Sequence, residues 1–129
     1  MVTTSAFFKG SKHFKASEFE CPTYKKSGLL MDTEFLHMLE KARIYANIPF
    51  IIISGYRTVK QNIKVGGTIN SSHLKGLACD IKYENSKECF LIIESLLVCG
   101  FNRIGINKGA IHVDFDNNKP RNVIWNYYS

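Results

Sequence analysis

The chain has 129 residues, of which 45% are hydrophobic and 22% charged, and its formal net charge is +6 at pH 7. This length and composition are typical of one globular domain with a buried core and argue against global disorder. No apolar run approaches the roughly 20 residues that a membrane-spanning helix needs, so we expect no membrane span. The lysines are scattered without a basic stripe, so a nucleic-acid binder is not expected despite the positive charge.

The N-terminus carries no basic segment followed by a long apolar core, so the sequence predicts no secretory signal. We therefore expect synthesis in the cytoplasm. Residues 1–12 are predicted to form a loose polar lead-in, and residues 1–129 to form a single domain. None of the four cysteines belongs to a C-x-x-C pair, which argues against a cysteine zinc knuckle and favours reduced thiols.

The first half of the chain predicts two helices around one strand. Apolar side chains recur at helical spacing over residues 32–47, which predicts a strong helix. The β-branched run at residues 50–54 predicts a buried strand. Residues 58–65 predict a short helix, and a glycine pair then opens a polar loop over residues 66–75.

A strand and a second strong helix follow the polar loop. Residues 77–82 predict a strand that places Asp80 on the face opposite its apolar residues. Residues 86–99 predict a helix with Ser86 as its N-cap, and a glycine directly after it supplies the C-terminal stop.

The last third of the chain predicts strands. Residues 103–106 and 110–115 are expected to pair across a turn, and the aromatic tail at residues 122–128 predicts a final strand or a cover. We interpret Trp125 and the tyrosines at 127–128 as core side chains in preference to a substrate groove. The order of elements predicts an α+β fold with a small antiparallel sheet and flanking helices.

Histidine and carboxylate side chains are spaced so that they could meet across this sheet. His73 lies in the polar loop, and Asp80 follows seven residues later on a strand. On the later strand, His112, Asp114 and Asp116 share one face. A catalytic zinc ion takes three protein ligands and a water, and His73, Asp80 and His112 would supply that set. Half-exposed strands often alternate polar residues, so a solvated face is the alternative that spacing leaves open.

Arg57 stands directly after the predicted strand at residues 50–54. An arginine at a strand end near such a site could hold a substrate carboxylate through two hydrogen bonds. The alternative is a surface arginine in a solvated turn.

Several strings in the chain resemble the zinc D-Ala-D-Ala carboxypeptidases, which are peptidoglycan peptidases with the hedgehog/DD-peptidase fold and include phage endolysins. The strings are Ser54-Gly55-Tyr56-Arg57, Asn62, Val65-Gly66-Gly67, Ser71-x-His73-x-x-Gly76-x-Ala78-x-Asp80 and His112-x-Asp114. The segment His13-Phe14-x-x-x-Glu18-Phe19-x-Cys21 also resembles the start of that subgroup, so the resemblance spans about residues 13–126.

The resemblance implies that His73, Asp80 and His112 hold one Zn²⁺ ion per chain. It implies a zinc-dependent peptidase, of the carboxypeptidase or endopeptidase type, that hydrolyses stem peptides of bacterial peptidoglycan. The bond cut stays open between a terminal D-Ala-D-Ala bond, a cross-link and an L-Ala-D-Glu bond. A non-catalytic zinc module that binds the wall or signals is the alternative. We expect a monomer that acts on the bacterial cell wall, and the small size is compatible with a phage origin.

The resemblance also suggests roles for residues around the metal. Arg57 matches the arginine that binds or polarises a substrate carboxyl or carbonyl group. Asp114 is a candidate catalytic base, with orientation of His112 as the alternative. Asn62 and Ser71 would hydrogen-bond the substrate, or else serve core or turn roles. Some relatives place an acid three residues before the last ligand, where this chain has Gly109.

Overall fold

The computed structural model describes residues 3–127, and this part of the chain contains four α-helices and five strands. The helices are α1 (Thr4–Gly10), α2 (Thr33–Ala46), α3 (Val59–Lys64) and α4 (Ser86–Val98). The strands are β1 (Ile52–Ser54), β2 (Ala78–Lys82), β3 (Arg103–Asn107), β4 (Ala110–Asp114) and β5 (Val123–Asn126). None of the helices described over residues 3–127 combines the length and apolar character that a membrane crossing would require.

The strands form one sheet in the order β1-β2-β4-β3-β5. The first three neighbouring pairs run antiparallel, but β3 and β5 run parallel. After β4 the chain turns back past β3, so that β5 runs antiparallel to β4 and therefore parallel to β3. The predicted α+β class is confirmed, and the sheet is mixed instead of purely antiparallel.

Two helices cover one face of the sheet and bury the core. α2 packs against α4, and α4 contacts β4. The core side chains of these helices and of the central strands are at most 1% exposed: Phe35, Leu36, Leu39, Ile81, Ile92, Leu96, Ile104, Ile111 and Val113. Since side chains alternate between the faces of a strand, the opposite face of the sheet is left for polar residues.

The N-terminal segment differs from its prediction. The expectation of a loose lead-in at residues 1–12 is wrong for α1, whose first turn is capped by Thr3. Phe7 anchors the helix because its ring is buried and packs edge-on against Phe8 and His37. The burial of that aromatic ring outweighs the polar composition around it. The first two residues of the lead-in lie outside the described residues.

The predicted strand before Arg57 also differs from its prediction. β1 ends the sheet and pairs with β2 alone among the described strands. Ile51 and Ile53 are therefore 53% and 56% exposed, whereas Phe50 is buried. The expectation of a buried strand is wrong, because side chains alternate between the two faces and only the face with Phe50 and Ile52 packs against the core.

The two long helices lie where the sequence predicts them, as do α3 and the β3–β4 hairpin. The N-cap of α4 is Asn85 and not Ser86, because the Asn85 side chain accepts a hydrogen bond from the Glu88 amide at 2.9 Å. Asparagine is among the best N-cap residues, and its position one residue earlier lets Ser86 start the helix.

Exchange of Asn85 for alanine tests this cap. Asn85→Ala should lower the free energy of unfolding by about 1 kcal/mol, because an unpaired amide is left in the first turn of α4. Urea unfolding followed by circular dichroism measures the change. Ser86→Ala is the matched control and should change the stability by less. A larger effect at Ser86 would contradict the assignment.

Candidate metal centre

The centre of the site lies on one row of paired residues that runs across the sheet. The residues paired across its five strands are Ser54, Asp80, His112, Gly105 and Trp125, in that order. Paired residues in a sheet point to the same face, so Asp80 and His112 lie side by side on the face opposite the core. The predicted meeting of two polar strand faces is thus present in the structure.

His73 reaches this pair from a short 3₁₀ turn, Ser72–Lys75. Ser71 caps the turn by accepting a hydrogen bond from the His73 amide at 3.2 Å. Gly76 ends the turn with φ +70°, and a Cβ atom there would stand 2.3 Å from the carbonyl oxygen of Leu30. Only glycine tolerates both constraints, so Gly76 fixes where His73 enters the site.

The three side chains converge at ligand spacing. Asp80 Oδ1 lies 3.3 Å from His73 Nε2 and 3.1 Å from His112 Nδ1. One candidate ligand atom from each residue lies within 4.8 Å of the others. Zinc binds nitrogen and oxygen at about 2.0–2.1 Å, and tetrahedral angles then separate neighbouring ligands by about 3.3 Å. The donor set and its spacing therefore fit a zinc ion.

Both imidazoles have their second nitrogen tied to the protein. His73 Nδ1 donates to the carbonyl oxygen of Gly55 at 2.7 Å, and His112 Nε2 donates to Asp114 Oδ2 at 2.7 Å. Metal-binding histidines have the same arrangement, which selects the tautomer and orients the ring. It leaves His73 Nε2 and His112 Nδ1 as the nitrogens that face Asp80.

The charge state of Asp80 also suits a metal ligand. Burial raises the pKa of this carboxyl group, but hydrogen bonds with His112 and His73 outweigh burial, and its pKa lies well below the ordinary value. Asp80 is therefore an anion at neutral pH, the form that binds a cation.

Asp114 is enclosed by hydrogen-bond donors. Its Oδ1 accepts from Arg103 Nε at 2.7 Å and from the Asp116 amide at 3.3 Å, and its Oδ2 accepts from His112. The side chain is 1% exposed. Burial raises the pKa of Asp114, but the bonds from His112 and Arg103 outweigh burial and place it below the ordinary value. Arg103 is itself held beneath the Trp125 ring, 5.0 Å from its centre.

Arg57 lies beside the three converging residues. Its amide donates to the carbonyl of His73 at 3.1 Å, and its guanidinium lies 3.4 Å from Asp80 Oδ2. Asn62 is buried, accepts from the guanidinium at 3.2 Å and donates to the carbonyl of Thr68 at 2.7 Å. These contacts are those expected of a core role for Asn62, and Ser71 caps its turn as described above, while substrate binding by either residue stays a prediction.

A cavity of about 620 Å³ opens over the site. Most of the residues singled out from the sequence line it: Arg57, Ser71, His73, Asp80, His112 and Asp114. Trp125 and Tyr127 line it too, and the Trp125 ring centre is 5.7 Å from that of His112. The interpretation of these two aromatics as core side chains is wrong, because β5 lies at the sheet edge beside the cavity. The tyrosine at 128 lies outside the described residues.

A cluster around Asp116 joins the 3₁₀ turn to the end of β4, and sequence analysis missed it. Asp116 is buried and accepts from Ser72 Oγ at 2.8 Å and from Lys75 Nζ at 3.1 Å. Lys119 Nζ donates to Ser72 Oγ at 2.9 Å. The sequence offered no signal for this cluster, because its members meet across 44 and 47 positions of the chain.

A family model for peptidase M15 matches residues 12–114 of the chain. This match covers most of the sequence and includes all three converging residues. The chain belongs to the peptidase M15 family. This is the zinc D-Ala-D-Ala carboxypeptidase-like family that the sequence strings resemble, so the predicted relationship is confirmed. M15 peptidases depend on zinc, and His73, Asp80 and His112 form a possible metal site of that kind. A search of curated proteins found no significant match.

The cluster around Asp116 predicts a pH-dependent stability. Burial raises the pKa of Asp116, but hydrogen bonds from Ser72 and Lys75 outweigh burial and hold it below the ordinary value of 3.8. Its ionised form therefore stabilises the fold above about pH 4, and this contribution is lost as the pH falls through the folded pKa. Asp116→Asn should lower the free energy of unfolding by about 2 kcal/mol at pH 7.

Urea unfolding of the wild type and Asp116→Asn from pH 7 to pH 3 measures this contribution. The difference between the two proteins should shrink below about pH 4. Glu84→Gln is the control, because Glu84 is 62% exposed in its ion pair with Lys82 and should contribute little at any pH. A difference that stays constant down to pH 3 would exclude the ionised Asp116 as its source.

Proposed function

We propose that this M15 family member is a zinc-dependent metallopeptidase that hydrolyses peptide bonds in the stem peptides of bacterial peptidoglycan. The supporting observation is the convergence of His73, Asp80 and His112 at zinc-ligand spacing on the wall of the large cavity. We further propose that the protein binds one zinc ion per chain, acts as a monomer and works at the bacterial cell wall.

The residues around the centre suit peptide hydrolysis. A bound zinc ion would polarise a carbonyl group and lower the pKa of water from about 15.7 towards about 7. Arg57 would hold a carboxylate or carbonyl oxygen of the substrate, since this residue lines the cavity and its backbone amide donates to the carbonyl of His73. Arg57 also lines a smaller cavity of about 250 Å³, so this residue borders two spaces that a peptide could occupy.

The contacts of Asp114 favour the orienting role over the role of base. Both of its oxygens accept hydrogen bonds within the protein, so accepting a proton would disrupt its ion pair with Arg103. Gly109 lies in the β3–β4 turn with φ +75° and offers no carboxylate in its place. Of the described residues that line the large cavity, Asp80 and Asp114 are the carboxylates. We therefore assign Asp114 to the positioning of His112.

Asp114→Asn distinguishes the two roles. Substitution of a residue that positions a metal ligand lowers the affinity for the metal, so zinc binding should weaken by about 10–100-fold. Turnover should then recover when zinc is supplied at saturating concentration. Zinc affinity from competition with a chelator, measured beside kcat as zinc is added, provides both quantities. Normal zinc affinity with a loss of kcat that zinc does not rescue would show that Asp114 is the base.

Incubation with bacterial peptidoglycan and defined stem peptides tests the proposed activity. One sample contains zinc and the other a chelator, and mass spectrometry of the products identifies the bond that is cut. We expect cleavage that depends on zinc. His73→Ala should lose both zinc and hydrolysis, whereas His13→Ala, which removes a histidine outside the site, should keep both. Hydrolysis by His73→Ala without metal would contradict the proposal.

A non-catalytic zinc module is the second candidate, and the glycine at position 109 is the observation that favours it. It predicts one zinc ion per chain and binding of peptidoglycan without any new product. That result in the same experiment would replace the peptidase proposal.

A further inference from the structure

We propose that Lys119 forms a carboxylate-binding subsite in the large cavity, so that the enzyme prefers stem peptides with a free carboxylate near the cleaved bond over the same peptides with an amide there. The inference rests on the proposed peptidase function and specifies its substrate. Lys119 follows the last residue of the family match, so membership of the family does not assign the subsite.

Two lysines share the single carboxylate of Asp116. Lys75 Nζ lies 3.3 Å and 3.1 Å from its two oxygens, whereas Lys119 Nζ lies 3.7 Å from the nearer one. One carboxylate compensates one ammonium group, and the closer Lys75 is its better partner. The cluster therefore has an excess positive charge, which resides mainly on Lys119.

The residue that carries this charge is part of the cavity wall. Lys119 lines the large cavity, and Lys75 is not among its lining residues. The Lys119 side chain is 18% exposed, and its hydrogen bond to Ser72 Oγ holds the ammonium group in place. An ammonium group has three donors, so Lys119 has donor capacity left for a ligand. Its low exposure reduces solvent screening of an anion bound there.

The acids of the cavity wall have other partners. Asp80 lies at the candidate metal site beside Arg57, and Asp114 is paired with Arg103 and His112. No acid of the cavity wall pairs with Lys119 in the part of the chain that the structure describes, so an anion of the substrate could take that place. Carboxylates are the anionic groups of a stem peptide, so a carboxylate near the cleaved bond is the ligand that Lys119 would select.

Synthetic stem peptides in matched pairs test the subsite. The two members of each pair differ in one group next to the scissile bond, which is a carboxylate in one and a carboxamide in the other. Zinc-loaded wild type should cleave the acidic member with a kcat/KM about tenfold higher, which is the scale of one charge-assisted hydrogen bond. The preference should arise mainly in KM.

Lys119→Gln should remove this preference while zinc content and kcat for the amidated peptide stay near wild type. Lys82→Gln is the control, because it removes the same charge from a lysine that is 47% exposed and lies outside the cavity wall, and it should keep the preference. Lys119→Arg should also keep it, which separates a lost charge from a disturbed fold. Equal kcat/KM for the two peptides of every pair in the wild type would overturn the subsite while leaving the peptidase function standing.

If no peptide is cleaved, the Kd values of the same peptides, measured by calorimetry, separate the proposed subsite from the proposed peptidase function. The peptidase function would then fail. A tighter Kd for the acidic peptide that Lys119→Gln abolishes would still support the subsite, whereas equal Kd values would overturn it.

Discussion

The antiparallel pairing of Asp80 on β2 with His112 on β4 is the contact on which the candidate metal centre depends. A shift of one residue in this register would place the two side chains on opposite faces of the sheet. The apolar neighbours prevent that shift, because Ile81, Ile111 and Val113 are buried against the helices. The hydrophobic core thus holds the register, and the register places a carboxylate and an imidazole together on the polar face.

The third side chain of the centre comes from outside the sheet and needs a different support. His73 is buried, yet both its ring and its backbone have polar partners, since Gly55 accepts from Nδ1 and Arg57 donates to the backbone carbonyl. Buried polar groups are costly unless they are paired. The edge strand β1 therefore contributes to the candidate site through the backbone that follows it, since Gly55 and Arg57 come directly after the strand.

A chain of contacts continues from the centre to the C-terminal strand. His112 is held by Asp114, Asp114 by Arg103, and the Arg103 guanidinium lies under Trp125. Gly105 makes this possible, because a Cβ atom there would come within 2.8 Å of the Trp125 ring. Each buried charge in this series of contacts has an opposite charge or a hydrogen-bond donor beside it. Burial of these side chains therefore leaves no isolated ion among them.

Local patterns in the sequence determined much of this protein. Periodicity located the long helices and the β3–β4 hairpin, since each depends on contacts within a few residues. The family followed from strings whose residue types and order were specific, and these strings also named His73, Asp80 and His112. The exposed face of β1, the parallel pairing of β5, the burial of Asp114 and the meeting of Ser72 with Asp116 were decided by the tertiary structure. These features join residues that lie far apart in the chain. Local sequence patterns do not contain the packing interactions that bring such residues together.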